Sequence, residues 1–155
     1  MILVVLTLSG LIGACSSDAS LTSFGVDNAW SRATPTGAVN GVVYMTVTTD
    51  EDDVLVEATA PSSVARKAEL HSSMLHQAPG SGHHGRGTVS GEAVQVDEFP
   101  VNAGTPLEFR PGGNHVMLID LGGPLVLGMS FPLTLRFESG RTYTVNVVVA
   151  NNQPE

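Results

Sequence analysis

Two pairs of histidine and methionine are the residues of this sequence with the clearest capacity for chemistry. His115 and Met117 follow the turn sequence Pro-Gly-Gly-Asn at residues 111–114. Because side chains two apart on a strand point to the same face, an imidazole and a thioether are expected side by side there. His71 and Met74 form a second pair, at a point where a predicted strand ends in a loop.

The donor types predict which metal such pairs would hold. A thioether is a soft, neutral donor that suits Cu(I) and has little affinity for Zn²⁺, Mg²⁺ or Ca²⁺, whereas imidazole accommodates both oxidation states of copper. Thiolates would serve in a reducing cytosol but are oxidised outside it. Cys15 is the only cysteine of the chain, so a His and Met site fits an exported protein that binds Cu(I), and also Cu(II) where imidazoles dominate.

The N-terminal residues resemble a targeting signal and are not expected to be part of the folded domain. Residues 1–14 carry no charge and contain an apolar run that is too short to span a bilayer, as in a signal peptide. Residues 12–15, Ile-Gly-Ala-Cys, resemble a bacterial lipobox, which would make Cys15 a lipidated N-terminus. We expect a lipoprotein-type signal peptide (1–14), a lipid-anchored tether (15–23), a copper-binding β-sandwich domain (24–150) and a tail (151–155), anchored to the outer face of the cell membrane.

Composition limits the class of protein. The 155 residues include 17 Gly and 9 Pro, and only 14% are charged, a balance typical of short strands joined by many turns. A net charge of −8 with seven Lys and Arg excludes a nucleic-acid surface, which needs clustered positive charge. Motifs for catalysis, such as Gly-x-Ser-x-Gly or His-Glu-x-x-His, are missing from the sequence. We therefore expect a single domain that is not an enzyme.

Short segments rich in β-branched and aromatic residues alternate with turn sequences along the chain. They predict an all-β protein, an antiparallel sandwich or barrel. One of them, residues 66–71, places Lys67, Glu69 and His71 on one face. The predicted strands cover residues 24–30, 41–48, 54–60, 66–71, 93–96, 107–109, 115–119, 133–137 and 143–149.

Several local patterns resemble the periplasmic copper chaperones that supply the CuA site of cytochrome c oxidase. They are Gly-Val-Val-Tyr-Met at residues 41–45, Glu-Leu-His at 69–71, and Pro-Gly-Gly-Asn-His-Val-Met-Leu at 111–118. The pattern Gly-Pro-Leu at 123–125, Gly128 and Leu-Thr-Leu-Arg-Phe at 133–137 follows. The resemblance covers nearly all of the domain, and His-x-Met after Pro-Gly-Gly is its most specific element.

This resemblance implies a cupredoxin-like Greek-key antiparallel β-sandwich that binds Cu(I) near its surface. It implies His71, His115 and Met117 as ligands. The family's further Met between the two histidines has no direct counterpart, since this chain offers residues 87–89, Gly-Thr-Val, at that place. Met74 is one candidate for the fourth ligand, and the adjacent His83 and His84 of a Gly-rich loop are the other.

The function implied is a copper chaperone whose partners are the copper ion, the membrane through its anchor, and cytochrome c oxidase subunit II or another copper chaperone. A blue-copper electron carrier would need a cysteine thiolate in the site, and Cys15 is already assigned to the anchor. Two alternatives stay open. One is an exported copper buffer without a delivery partner, and the other is a β-sandwich interaction module that binds no metal.

Overall fold

The computed structural model describes residues 24–74 and 92–154, and these residues form strands and turns. None of them belongs to a helix with the length and apolarity that crossing a membrane requires. The all-β prediction is confirmed. The strands are β1 (Gly25–Arg32), β2 (Asn40–Thr48), β3 (Asp53–Thr59), β4 (Ala65–Met74), β5 (Glu92–Gln95), β6 (Phe99–Val101), β7 (Leu107–Phe109), β8 (His115–Leu121), β9 (Ser130–Phe137) and β10 (Thr142–Ala150).

The predicted strands agree with the observed ones to within a few residues, except at β6. This strand is only three residues long and contains Pro100, which has no backbone N–H to donate to a neighbouring strand. Such a residue is tolerated at the edge of a sheet, and β6 does lie at one end of the strand order. A three-residue alternation is too short to be distinguished from a turn in the sequence.

The strands form one curled sheet in the order β5-β4-β8-β2-β1-β10-β9-β3-β6, with β7 paired to β2 beside this path. Neighbouring strands are antiparallel except β1 and β10, which run parallel with Trp30 opposite Val148. The predicted antiparallel arrangement therefore has one exception. Its reason is connectivity: β1 and β10 are the first and last strands, so no short turn between them dictates their relative direction.

Every second side chain of a strand points to the inner face of the curled sheet, and these side chains fill the core. In β9, Leu133, Leu135 and Phe137 are 0% exposed, while the intervening Arg136 is exposed. Met45 of β2 is also buried. Each fully buried side chain of this size contributes about 1.5–3 kcal/mol of hydrophobic free energy. These contacts keep the sheet curled and make its geometry rigid.

The pairing of β4 with β8 is the part of the fold that positions the candidate site. On the inner face, Leu70 lies opposite Val116 and Ala68 opposite Leu118, and the two β8 residues are 0% exposed. The other face of the same two strands carries charged, imidazole and thioether side chains. Since the period of a strand is two, burial of the inner residues fixes which residues meet on the outer face.

Gly122, directly after β8, holds the start of β4 against the end of β8. Its N–H donates a hydrogen bond to the carbonyl of Val64 at 3.0 Å, and a Cβ at this position would lie 2.4 Å from the carbonyl oxygen of Ser63. Backbone atoms cannot move away as a flexible side chain can. Gly123, its neighbour, has open space around the corresponding position.

Gly122→Ala is therefore expected to lower the free energy of unfolding by about 1–3 kcal/mol, while Gly123→Ala serves as the matched control with little change. Urea unfolding followed by the fluorescence of Trp30, the only tryptophan, measures both. Equal stability of the two variants would contradict the close approach at Gly122.

Candidate metal centre

Two histidines from neighbouring strands face each other on the outer surface of the β4–β8 pair. His71 and His115 are direct cross-strand partners, and their ring centroids lie 5.4 Å apart with an angle of 38° between the ring planes. The structure thus brings together the two imidazoles that the sequence pattern singled out. A metal ion between two strands can be bound from both of them at this separation.

The turn before β8 places His115 at the first position of its strand. Gly112 has a φ of +75°, a left-handed conformation that glycine adopts without strain. The turn closes through backbone hydrogen bonds from Gly113 N–H to the Arg110 carbonyl at 2.9 Å and from Arg110 N–H to the Asn114 carbonyl at 2.8 Å. The left-handed φ at position 112 therefore favours glycine in this turn.

Two hydroxyl groups of β4 tie the turn to the strand that carries His71. Ser73 Oγ donates to the Gly113 carbonyl at 3.0 Å, and Ser72 Oγ donates to Asn114 Oδ1 at 3.0 Å. Their contacts hold the relative position of the two histidines beyond what the strand pairing alone would do.

A backbone carbonyl determines which ring nitrogen of His115 carries the proton. Its Nδ1 lies 3.0 Å from the Gly113 carbonyl oxygen, which can only accept a hydrogen bond, so Nδ1 carries the proton. The lone pair of the neutral ring is therefore on Nε2. His115 is 8% exposed, so its side chain is buried. The cause is close packing around a residue at the start of a central strand.

His71 uses the opposite nitrogen for its hydrogen bond. Its Nε2 lies 3.1 Å from Oε2 of Glu69, whose other oxygen, Oε1, lies 2.6 Å from Nζ of Lys67. The hydrogen bond from Lys67, and then that from His71, lowers the pKa of the Glu69 carboxyl, which is therefore ionised near neutral pH. A carboxylate only accepts hydrogen bonds, so the proton of His71 is on Nε2.

The remaining nitrogen of His71 is the one buried imidazole nitrogen without a hydrogen-bond partner among the described residues. Its Nδ1 is buried, and the side chain as a whole is 12% exposed. A buried acceptor without a partner is uncommon and costs free energy, on the order of 1–3 kcal/mol. A lone pair of this kind is what a metal ion would use.

Met117 supplies a thioether on the same face. It lies opposite Glu69 on β4 and opposite Val42 on β2, and it is partly buried. His115 and Met117 share a face of β8, as their spacing predicts. Two neutral imidazole lone pairs and one thioether form a donor set that favours Cu(I) over the harder divalent ions.

Of the other predicted site residues, only Met74 lies within the described part of the chain. β4 continues to Met74 instead of ending near His71, and the backbone of Met74 pairs with Glu92 of β5. His83, His84 and Cys15 lie outside the described residues. Within residues 24–74 and 92–154, no group of three or more His, Cys, Asp and Glu side chains is arranged to hold a metal ion.

Glu69 is the functional candidate that sequence reasoning missed. The alternation of β4 already placed Lys67, Glu69 and His71 on one face, and a residue two positions away on a strand is a direct neighbour on that face. The signal was therefore present. What the sequence could not show is that the carboxylate contacts the imidazole and not solvent.

Comparison with known proteins identifies relatives of the domain, one over most of the chain and one over part of it. The family described as "LpqE-like: Putative lipoprotein LpqE-like" matches residues 25–149. "Putative lipoprotein Lxx21020" of Leifsonia xyli subsp. xyli (strain CTCB07) is 32% identical over 126 residues, which are 80% of this chain and 68% of that protein. "Uncharacterized protein RP573" of Rickettsia prowazekii (strain Madrid E) is 37% identical over 62 residues, 39% of this chain and 34% of that protein.

Solved structures share the fold. The "Copper-bound PCuAC domain from PmoF2" has a TM-score of 0.62 and 21% sequence identity, and the match covers 84% of this chain and 97% of that one. The CuI-DR1885 solution structure from Deinococcus radiodurans has a TM-score of 0.58 and 26% identity, covering 90% of this chain and 84% of that one. The predicted cupredoxin-like β-sandwich and the resemblance to the periplasmic copper chaperones are confirmed.

The hydrogen bonds of the two histidines predict opposite tautomers in the metal-free protein. In its neutral form, His115 is expected to carry its proton on Nδ1 and His71 on Nε2. Long-range ¹H–¹⁵N correlation spectra distinguish the two forms by their nitrogen shifts. Finding the same tautomer on both rings would contradict one of the two hydrogen bonds described above.

Proposed function

This chain belongs to the LpqE-like family, and from that membership together with the geometry of its two histidines we propose that it is an exported protein that binds Cu(I) and hands it on outside the cytoplasm. His71, His115 and Met117 are the proposed ligands. Copper is the cargo of the protein and not a cofactor for a reaction. The protein acts in this proposal as a copper chaperone and catalyses no reaction.

The observation that carries this proposal is the convergence of two imidazoles and a thioether on one face of β4 and β8. His71 and His115 lie opposite each other, and Met117 is two residues along from His115. All three donors are neutral, so a singly charged soft ion gains favourable bonds without strong competition from water or hard cations. The unpartnered Nδ1 of His71 supports the same assignment.

The relatives add independent support. One solved neighbour is described as a copper-bound PCuAC domain and another as a Cu(I) form of DR1885. Each description applies to the solved protein that it names. The shared fold, together with the His and Met face of this chain, makes copper the ligand that we propose for it.

A fourth ligand would come from the segment between β4 and β5 or from the end of β4. Met74 would add a second thioether and strengthen the preference for Cu(I). His83 and His84 would add imidazole and let the site hold Cu(II) as well. We propose that one of these two sources completes the site.

We also propose where the protein acts. A lipid on Cys15, after removal of residues 1–14, would leave residues 15–23 as the tether of the domain. The name of the Leifsonia relative supports a lipoprotein. From the outer face of the cell membrane the protein would deliver copper to a membrane cuproenzyme such as cytochrome c oxidase, directly or through another chaperone. A copper buffer without a partner would use the same ligands.

Removal of the Met117 thioether tests the metal preference. Met117→Leu keeps most of the apolar volume, so we expect the free energy of unfolding to change by less than about 1.5 kcal/mol. The affinity for Cu(I) is expected to fall at least about tenfold because a soft ligand is lost. Competition with a chromogenic Cu(I) chelator under anaerobic conditions measures it.

Met129→Leu is the matched control, since Met129 packs against the core and its thioether is not part of the proposed site. The wild type should bind a single Cu(I) and retain Zn²⁺ far more weakly. Equal loss of affinity in the two variants, or equal retention of both metals by the wild type, would contradict the proposed site.

The source of the fourth ligand is tested by counting sulfur and nitrogen neighbours with X-ray absorption at the copper edge. If the loop closes over the ion, joint replacement of His83 and His84 by Ala should weaken Cu(II) binding more than Cu(I) binding. If Met74 is the ligand, Met74→Leu should lower Cu(I) affinity and remove one sulfur neighbour. Should both variants keep wild-type affinity and sulfur count, neither source completes the site.

A further inference from the structure

We infer that Glu69 is a positioning residue for the copper site proposed above: its carboxylate fixes the tautomer and orientation of His71, so that Nδ1 is the nitrogen offered to the metal. The inference rests on the proposed function. It adds a role for a residue that is not itself a proposed ligand.

The geometry of the carboxylate supports this role. Oε2 of Glu69 lies 3.1 Å from Nε2 of His71, and the two side chains are 16% and 12% exposed. Such a shielded hydrogen bond to a charged group is stronger than a bond between neutral groups. With Nε2 held in this way, ring rotation of His71 is restricted and its lone pair is confined to Nδ1.

Lys67 keeps the carboxylate in this orienting role. Its ammonium lies 2.6 Å from Oε1 of Glu69, so each oxygen of Glu69 already has a donor. Lys67 itself is 61% exposed, and its charge is therefore partly screened by water. The opposite charges of Lys67 and Glu69 nearly cancel each other. Oε2 of Glu69 remains directed at the imidazole of His71.

The two proposed imidazole ligands are thus fixed by different acceptors. His115 donates from Nδ1 to a backbone carbonyl, whereas His71 donates from Nε2 to an ionised carboxylate. A carboxylate hydrogen-bonded to a metal-binding imidazole raises the basicity of the ring and stabilises the positive charge that the ion brings. Of these two histidines, His71 alone has this support, and its Nδ1 is buried without a partner among the residues that the structure describes.

The test compares Glu69→Ala and Glu69→Gln in the full mature chain. Glu69→Ala removes the acceptor, so the ¹⁵N shifts of His71 in the metal-free protein should depart from the Nε2–H pattern, and Cu(I) affinity should fall about 10- to 100-fold. Glu69→Gln retains an acceptor oxygen and should recover most of both properties.

Glu57→Ala is the matched control, because Glu57 also pairs with a cation at 2.6 Å, Arg136, but contacts no imidazole. It should change neither the His71 spectrum nor Cu(I) affinity. Urea unfolding of all variants separates a general loss of stability from the specific effect. If Glu69→Ala does not fold, Glu69→Leu, which removes the acceptor but fills much of its volume, should show the same changes in the His71 spectrum and in Cu(I) affinity.

Three results would overturn the inference. Glu69→Ala could keep the wild-type His71 tautomer and affinity, Cu(I) loading could remove the proton from Nε2 instead of engaging Nδ1, or Glu57→Ala could cause the same loss. Failure of the proposed function is distinguishable, since a wild-type protein that binds no Cu(I) would still report in its metal-free spectrum whether Glu69 fixes His71.

Discussion

The register between β4 and β8 is the constraint on which the rest of the site depends. Leu70 opposite Val116 and Ala68 opposite Leu118 bury the inner face of the pair. A slip of one residue would turn these apolar side chains outward and bring polar ones into the core, which costs several kcal/mol. The core therefore determines that His71 meets His115 outside. Hydrophobic packing on the inner face of β4 and β8 therefore fixes the positions of the side chains on their outer face.

The side chains of the proposed copper site are held in place by hydrogen bonds within the protein itself. Ser73 and His115 both donate to the Gly113 carbonyl, and Glu69 bridges Lys67 and His71. Each of these contacts restricts a rotation that would otherwise have to be lost when a metal binds, so the entropic cost of ordering is met during folding. Ligands on rigid strands also keep their spacing better than ligands on loops.

Much of the fold and part of the site could be predicted from the sequence. Alternation identified every strand except β6, whose three residues carry too little periodicity, and spacing correctly placed His115 and Met117 on one face. The convergence of His71 with His115 was implied only by family resemblance, because strand pairing between distant segments leaves no local signal. The burial of His115 and the contact of Glu69 with His71 depend on that pairing and were missed for the same reason. The roles of the proposed ligands remain predictions.

The position of β10 in the strand order has a consequence for the order in which the chain can fold. β10 lies between β1 and β9, so it joins the strands that carry the histidines to the β9-β3-β6 group. A chain still being synthesised has β1 and β9 available but lacks the strand that pairs with both, and each then presents an unpaired edge. The sheet can be completed only when β10, the last strand of the domain, is available. Because β10 then pairs with strands that are distant in sequence, the contact order is high and folding is expected to be slow. Until β10 is present, the strands that carry the histidines and the β9-β3-β6 group have no strand that pairs with both, so the two halves of the sheet cannot be joined through it.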